Sequence, residues 1–158
     1  MVERSAVHGT FTIERRYDAA PARAFAAWAT IEAKARWFIG PPDAWTLLRR
    51  ELEFHVGGEE ILSGVLKSGV VTTFIGHYRD IVPCERLIYS YDVFHDQRLL
   101  SVSLATVEFK PAAAGTRLVF TEQAAFLDGF QDGGSRENGT GAHLDRLGTY
   151  LEEEASAG

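Results

Sequence analysis

The sequence has little of what a disulfide scaffold, a cysteine metal cluster or a membrane span requires. Only one of its 158 residues, Cys84, is a cysteine, so neither an internal disulfide nor a cysteine metal cluster can form. No apolar run approaches the roughly 20 residues that cross a bilayer. The first residues also lack an apolar stretch of signal-peptide length. We therefore expect a cytoplasmic protein that has no membrane partner.

Positive charge is scarce as well. Sixteen Lys and Arg residues stand against 22 Asp and Glu residues, which gives a net charge of −6. A protein that binds nucleic acid needs a basic face to displace counterions from the phosphates, so we expect no nucleic-acid partner. The five histidines do not recur at ligand spacing, and the glycine motifs of phosphate and dinucleotide sites are missing. The sequence thus indicates neither a metal nor a cofactor.

The composition is that of an ordinary globular domain. Hydrophobic residues make up 46% of the chain, and no linker, repeat or low-complexity tract interrupts it. A length of 158 residues favours one domain over residues 1–158. A globule of this size buries roughly 70% of the surface that its unfolded chain exposes, which is enough for a core that contains a pocket.

The N-terminal part of the chain predicts one strand and two short helices. Apolar and polar residues alternate over 10–17, the period of a half-buried strand. A helix is predicted over 22–30, with Pro21 near its first position, where a missing N–H has no cost. A second helix over 31–37 ends before Gly40-Pro41-Pro42, which cannot continue it.

The rest of the chain predicts a run of strands and one long helix. The strands are expected at 47–54, 60–66, 70–82, 86–94, 98–110 and 116–125. After a loop over 127–134, leucines at helical spacing predict a helix over about 135–154, with a later start at Thr140 as the alternative. Strands joined by short turns form an antiparallel sheet, and only the last helix is large enough to cover its apolar face. We therefore predict an α+β fold in which about seven strands curve around the C-terminal helix.

Several motifs along the chain resemble those of a known family. They are RRYDAAP at 15–21, ARWFIGP at 35–41, EFHVGG at 53–58, GHYRDIVP at 76–83 and ERL at 85–87. On these residues the chain resembles the Aha-like proteins, which are named for an activator of a heat-shock chaperone ATPase. They belong to the START and birch-pollen-allergen (SRPBCC) superfamily, which also contains polyketide cyclases. The resemblance runs from about Phe11 to Glu152 and implies the helix-grip fold.

The sequence departs from the family pattern at two places. His55 stands where the family often has Arg, and Gly139-Thr140 stands where many members have Gly-Trp.

Glu122 is the candidate catalytic residue. It shares one face of the last predicted strand with Leu118 and Phe120. If that face is the concave one, the carboxylate points into the mouth of a cavity. Burial there would raise its pKa and suit it to acid–base chemistry or to holding a polar ligand group. The alternative is that Glu122 pairs with an arginine or lies in water.

Aromatic side chains are the remaining candidates for ligand contacts. Tyr89 and Tyr91 alternate with polar residues and are predicted to face inward, and Phe74 and Tyr78 occupy equivalent positions on the preceding strand. The full set of predicted ligand-binding residues is Trp28, Trp37, Phe74, Tyr78, Tyr89, Tyr91, Phe120 and Glu122. The alternative for the aromatic members is ordinary core packing.

Three functions are compatible with these residues. The first is binding of an apolar, aromatic or polyketide-like small molecule in a cavity between the sheet and the last helix. The second is a cyclase-like or hydrolase-like enzyme that uses Glu122 and a tyrosine, which requires two titratable groups at one ligand site. The third, implied by the resemblance, is an interaction module that stimulates a chaperone ATPase and would expose an apolar patch. A homodimer is compatible with each of them.

Overall fold

The structure is a computed structural model that describes residues 3–157. Along these residues run seven strands and three helices. In chain order they are β1 Ala6–Tyr17, α1 Pro21–Ala29, α2 Ile31–Trp37, β2 Trp45–Leu52, β3 Glu59–Leu66, β4 Val71–Val82, β5 Arg86–His95, β6 Arg98–Ala112, β7 Gly115–Leu127 and α3 Ser135–Ala157.

The seven strands form one antiparallel sheet in the order β1-β7-β6-β5-β4-β3-β2. Strands β2 to β7 follow one another as a meander because short turns join them. β1 then pairs with β7, so that Phe11 lies opposite Glu122. The curved sheet and the long α3 form the predicted α+β helix-grip fold.

The buried face of α3 consists of leucines at helical spacing. Leu144, Leu147 and Leu151 are all buried, and Leu147 has no exposed surface, as its position in the sequence predicts. The Tyr17 hydroxyl donates a hydrogen bond to the Leu144 carbonyl at 2.7 Å. Gly148 allows this approach, because a Cβ there would lie 3.1 Å from the Tyr17 ring. Within residues 3–157, neither α3 nor another helix has both the length and the apolarity needed to cross a bilayer.

The two short helices cover one end of the sheet. Pro21 is the first residue of α1, where it needs no hydrogen-bond acceptor. Thr30 separates the helices and caps α2, because its hydroxyl accepts from the Ala33 backbone N–H at 3.2 Å. Trp28 on α1 and Trp37 on α2 pack edge to face, with 4.6 Å between their ring centroids.

Several element boundaries differ from the predicted ones. β1 begins at Ala6 rather than residue 10, because the end of β7 extends to Leu127 and pairs with it. β2 occupies Trp45–Leu52 rather than 47–54, because Trp45 pairs across from the end of β3. α3 begins at Ser135, not at the alternative Thr140, and it runs three residues past the predicted end.

Candidate functional site

A pocket of about 650 Å³ lies between the concave face of the sheet and α3. Its walls are mainly apolar, and nine of the lining residues are Trp, Phe or Tyr. Six of the eight predicted ligand-binding residues line it: Trp28, Trp37, Phe74, Tyr89, Tyr91 and Phe120. They come from α1, α2, β4, β5 and β7, so the pocket exists only when the sheet, the short helices and α3 are assembled.

The other two predicted residues lie behind this wall. Tyr78 is 2% exposed, and its hydroxyl donates to Glu60 at 2.6 Å. Glu122 has no exposed surface and accepts a hydrogen bond from the wall residue Tyr91. Glu122 therefore adjoins the pocket through Tyr91, and Tyr78 packs against the wall residue Tyr89, with 5.8 Å between their ring centroids.

Glu122 lies at the centre of a buried polar cluster on the concave face. Its Oε1 accepts from the Tyr91 hydroxyl at 2.6 Å, and its Oε2 accepts from Ser103 Oγ at 3.2 Å and from Arg136 Nη1 at 3.3 Å. Arg136 Nη2 also donates to Ser101 Oγ at 2.7 Å. The strand parity thus placed Glu122 correctly on the concave face, and the arginine pairing that was its alternative is present as well.

The first turn of α3 positions the arginine of this cluster. Asp132 precedes the helix, and its Oδ1 accepts from the Arg136 backbone N–H at 2.9 Å and from the Ser135 hydroxyl at 3.0 Å. A carboxylate at this place satisfies donors that the helix itself leaves free. The capping interaction therefore fixes both the start of α3 and the direction in which Arg136 enters the cluster.

Burial governs the protonation of the cluster. It raises the pKa of Glu122, although the hydrogen bonds from Tyr91 and the charge of Arg136 oppose the shift. Burial and the nearby Glu122 carboxylate raise the pKa of Tyr91 far above its ordinary value, so its hydroxyl keeps its proton and donates. The cluster can therefore present a hydroxyl and a guanidinium to the pocket.

A second buried cluster was not predicted from the sequence. Lys34 Nζ donates to Glu60 Oε1 at 3.0 Å, and the two side chains are only 3% and 4% exposed. The same Glu60 oxygen accepts the Tyr78 hydroxyl. Burial lowers the pKa of Lys34, while the charge of Glu60 and its hydrogen bond oppose this. Lys34 also lines the pocket, so this ion pair forms part of its wall.

The three indole N–H groups of the protein differ in their surroundings. Trp37 Nε1 donates to the Ala27 carbonyl at 2.9 Å, and Trp45 Nε1 donates to Thr72 Oγ1 at 3.3 Å. Trp28 Nε1 is buried and has no hydrogen-bond partner among residues 3–157. Buried polar groups usually have partners, so this donor stands out.

His143 forms part of the pocket wall on α3. Arg146 Nη2 donates to its Nδ1 at 2.6 Å, which requires that nitrogen to be the unprotonated acceptor. Burial and the positive charge of Arg146 lower the pKa of His143 to about 3. Arg146 Nε also donates to the Trp37 carbonyl at 3.1 Å. The histidine is therefore neutral at physiological pH, and the arginine ties α3 to the end of α2.

Among the cluster residues that were not predicted, Lys34 and Glu60 each had a weak signal in the sequence. Lys34 lies three residues before the buried Trp37 on the same helix, and Glu60 shares a strand face with the buried Leu62. Arg136 gave no such signal, because its role depends on where α3 begins. In the described range, no three His, Cys, Asp or Glu side chains are grouped closely enough to hold a metal ion.

Comparison with known proteins identifies the family. The model of the family described as "Activator of Hsp90 ATPase homolog 1-like protein" matches residues 18–152. The chain is 42% identical to an uncharacterized protein from Rhizobium leguminosarum, with a TM-score of 0.91 over 96% of this chain and 99% of that one. It is 36% identical to a Rhizobium loti protein, with a TM-score of 0.85 over 92% of this chain and 99% of that one.

A more distant relative shares the fold. An AHSA1-like protein from Aeromonas hydrophila is 19% identical, with a TM-score of 0.68 over 93% of this chain and 94% of that one. A search of curated proteins found no match. Because the family model covers most of the chain, the chain belongs to the family of Activator of Hsp90 ATPase homolog 1-like proteins, within the SRPBCC superfamily.

Proposed function

We propose that the protein binds an apolar small molecule, aromatic or polyketide-like, in the pocket between the sheet and α3. One observation carries the proposal: the pocket has a volume of about 650 Å³ and mainly apolar walls, to which nine Trp, Phe and Tyr residues contribute. Small-molecule sites generally measure about 300–1,000 Å³ and combine apolar walls with a few polar groups. Aromatic rings also favour edge-to-face and offset contacts with a flat ligand.

The Glu122 cluster would orient the polar part of such a ligand. Tyr91 and Arg136 line the pocket, whereas Glu122 lies behind them and holds both. Glu122 thus acts as a positioning residue in this proposal. Replacing it with Gln should change the affinity for ligands that carry a polar head and leave the affinity for purely apolar ligands unchanged.

A thermal-shift screen of aromatic and polyketide-like compounds tests the proposal. A ligand held at about 100 times its Kd stabilises the folded state by roughly 2.7 kcal/mol, which is a readily measured rise in Tm. Thr140 lines the pocket, so Thr140→Trp should fill part of it and abolish the shift. Asn138 is exposed on the same helix, and Asn138→Trp is the matched control that should retain the shift.

The screen can also contradict the proposal. If no compound in it raises the Tm of the wild type, or if Thr140→Trp leaves every shift unchanged, the pocket is not the binding site.

A catalytic role is the second candidate, and the contact between Tyr91 and Glu122 favours it. The two titratable groups lie 2.6 Å apart beside the pocket, as acid–base chemistry requires. We rank this role second, because three donors enclose Glu122 and its carboxylate has no exposed surface with which to touch a substrate. Hydrolysis of 2-naphthyl acetate is a direct assay. If the protein is a hydrolase, Glu122→Gln should abolish turnover while the affinity for 2-naphthol stays within a few-fold.

Stimulation of a chaperone ATPase is ranked third. The exposed apolar residues include Leu47 and Leu48 on the edge strand β2 and Val102 and Leu104 on β6. Three strands separate these two pairs, so they do not form one patch. We expect the purified protein to leave Hsp90 ATP hydrolysis unchanged, and a clear stimulation in that assay would move this function to first place.

A further inference from the structure

One end of the pocket brings together three hydrogen-bond donors from three elements. Trp28 on α1, Lys34 on α2 and Tyr89 on β5 all line the pocket. Lys34 Nζ lies 5.0 Å from the centroid of the Trp28 ring, and the ring centroids of Trp28 and Tyr89 are 6.5 Å apart. An ammonium, an indole and a phenol are therefore neighbours at this end of the pocket.

The indole of Trp28 is the first sign that this end recognises a ligand. It is 1% exposed, and its Nε1 has no acceptor among residues 3–157. The equally buried Trp37, which packs against it, donates to a backbone carbonyl. A buried donor without a partner costs free energy, and a ligand oxygen in the pocket would supply the acceptor.

The local charge is the second sign. Lys34 and Arg50 are two cations that interact with a single anion, Glu60, so the group carries one excess positive charge. Arg50 Nη2 donates to the Phe38 carbonyl, while its Nε and Nη1 are buried without partners in the described part of the chain. Of these two cations Lys34 lines the pocket, so it is the one that a ligand there can contact. At the Glu122 cluster, by contrast, Arg136 has its own counter-charge.

The neighbouring titratable groups do not remove this surplus. Burial raises the pKa values of Tyr78 and Tyr89 well above the ordinary value, so both phenols are neutral. His143 is also neutral at physiological pH, because burial lowers its pKa. An anionic ligand group would balance the charge that these residues leave.

Building on the proposed binding function, we propose that this end of the pocket recognises the carboxylate of an aromatic acid. The Lys34 ammonium, the Trp28 indole N–H and the Tyr89 hydroxyl donate to its oxygens, and the ring system packs against the aromatic wall. The donor count allows this arrangement. An ammonium carries three N–H groups, of which Glu60 accepts one, and a carboxylate accepts about four hydrogen bonds.

Isothermal titration with two probes of the same shape tests the charge. The probes are anthracene-2-carboxylate and its neutral analogue anthracene-2-carboxamide. We expect the wild type to bind the acid at least 10-fold more tightly than the amide, since the amide retains an acceptor oxygen but lacks the charge.

Two variants should move this preference in opposite directions. Lys34→Met removes the surplus charge and should reduce the acid-to-amide ratio to about one. Glu60→Gln removes the anion, keeps an oxygen that can accept from Tyr78 and should increase the ratio. A general loss of stability would not produce opposite shifts, so the pair separates recognition from damage to the fold.

The indole N–H resonances of the wild type give an independent measurement. The protein has three tryptophans, so a ¹⁵N-labelled sample should show three indole signals, and Trp28→Phe assigns one of them. Addition of anthracene-2-carboxylate should move the Trp28 proton downfield as its hydrogen bond forms. The Trp37 proton should move much less, because it already donates to Ala27.

The outcomes distinguish this inference from the function on which it rests. If both probes bind equally well, or if the acid binds without moving the Trp28 signal, the carboxylate site is wrong and the binding function stands. If the acid is preferred but Lys34→Met retains the preference, the assignment to Lys34 is wrong. If neither probe binds and the thermal-shift screen is also negative, both proposals fail.

Discussion

The ion pair between Lys34 and Glu60 provides a sharp test of the stability of the fold. Its atoms lie 3.0 Å apart and the two side chains are only 3% and 4% exposed, so neither partner can be fully hydrated without the other. Lys34→Met keeps most of the side-chain volume and leaves Glu60 as a buried carboxylate that retains only the Tyr78 hydrogen bond. Breaking a buried pair in this way costs about 3–5 kcal/mol.

Glu60→Gln should cost less than Lys34→Met. The ammonium that it leaves behind lies 5.0, 5.1 and 4.7 Å from the ring centroids of Trp28, Trp37 and Phe38. Cation–π contacts in a desolvated site contribute about 2 kcal/mol, and the Gln oxygen still accepts a hydrogen bond. In the double variant no unpaired charge of this pair remains, so its cost should fall short of the sum of the single costs by about 0.5–3 kcal/mol.

Urea denaturation followed by tryptophan fluorescence and by circular dichroism measures these differences. Arg36→Met is the matched control, because Arg36 lies on the same helix and pairs with Glu153 at 2.9 Å with both side chains 58% exposed. An exposed pair contributes about 0–1 kcal/mol, so this variant should be close to the wild type. If Lys34→Met costs no more than Arg36→Met, the Lys34 pair is hydrated and the reasoning from its burial is wrong.

Three further predictions concern α3 and the Glu122 cluster. Leu147→Ala should lower the free energy of unfolding by about 2–5 kcal/mol in urea titrations, since Leu147 is fully buried, and an unchanged midpoint would contradict that burial. Burial lowers the pKa of His143 to about 3, whereas the ordinary pKa of histidine is about 6.5. As the pH drops below about 6.5, the unfolded state therefore takes up a proton that the folded state does not, and the free energy of unfolding should fall by up to about 1.4 kcal/mol per pH unit. In urea denaturation series from pH 7 to 4, His143→Gln should reduce the dependence of the free energy of unfolding on pH. An equal dependence in both proteins would show that His143 does not cause it. Glu122→Gln should cost about 3 kcal/mol, because it leaves the largely buried Arg136 guanidinium without its counter-charge, and a loss below 1 kcal/mol would mean that water in the pocket compensates for that charge.

The fold could be predicted from local sequence patterns, because each pattern identifies the face of a strand or helix that must be buried. The spacing of Leu144, Leu147 and Leu151 specified the buried side of α3, and alternation along β7 placed Glu122 beside Phe120 on the concave face. Boundaries were less accurate, since they depend on pairing between distant segments. The start of β1, for example, is determined by how far β7 extends.

The site was predictable only in its apolar part. Aromatic side chains reveal their burial through periodicity, whereas Lys34, Glu60 and Arg136 are charged residues that a sequence places in water by default. Lys34 and Glu60 lie 26 residues apart, and each is acceptable in the interior only because the other is there. Such mutual dependence between elements has only a weak local signature, which is why the pairing of Lys34 with Glu60 and the identity of the arginine that pairs with Glu122 had to be found in the structure.

The position of β1 in the sheet has a consequence for how the protein folds while it is being synthesised. β1 is synthesised before β2 to β6 and its hydrogen-bonding partner β7 only after them, with Ala6 opposite Leu127 and Tyr17 opposite Thr116. Non-local pairing of this kind is slow, and until β7 is available the unpaired edge of β1 can form hydrogen bonds with other chains. The consecutive charges of Glu14, Arg15 and Arg16 in β1 oppose such recruitment on the ribosome. In refolding experiments with pulsed hydrogen exchange, the β1 amides should therefore become protected after those of β5 and β6, and earlier protection of β1 would show that β1 and β7 pair first.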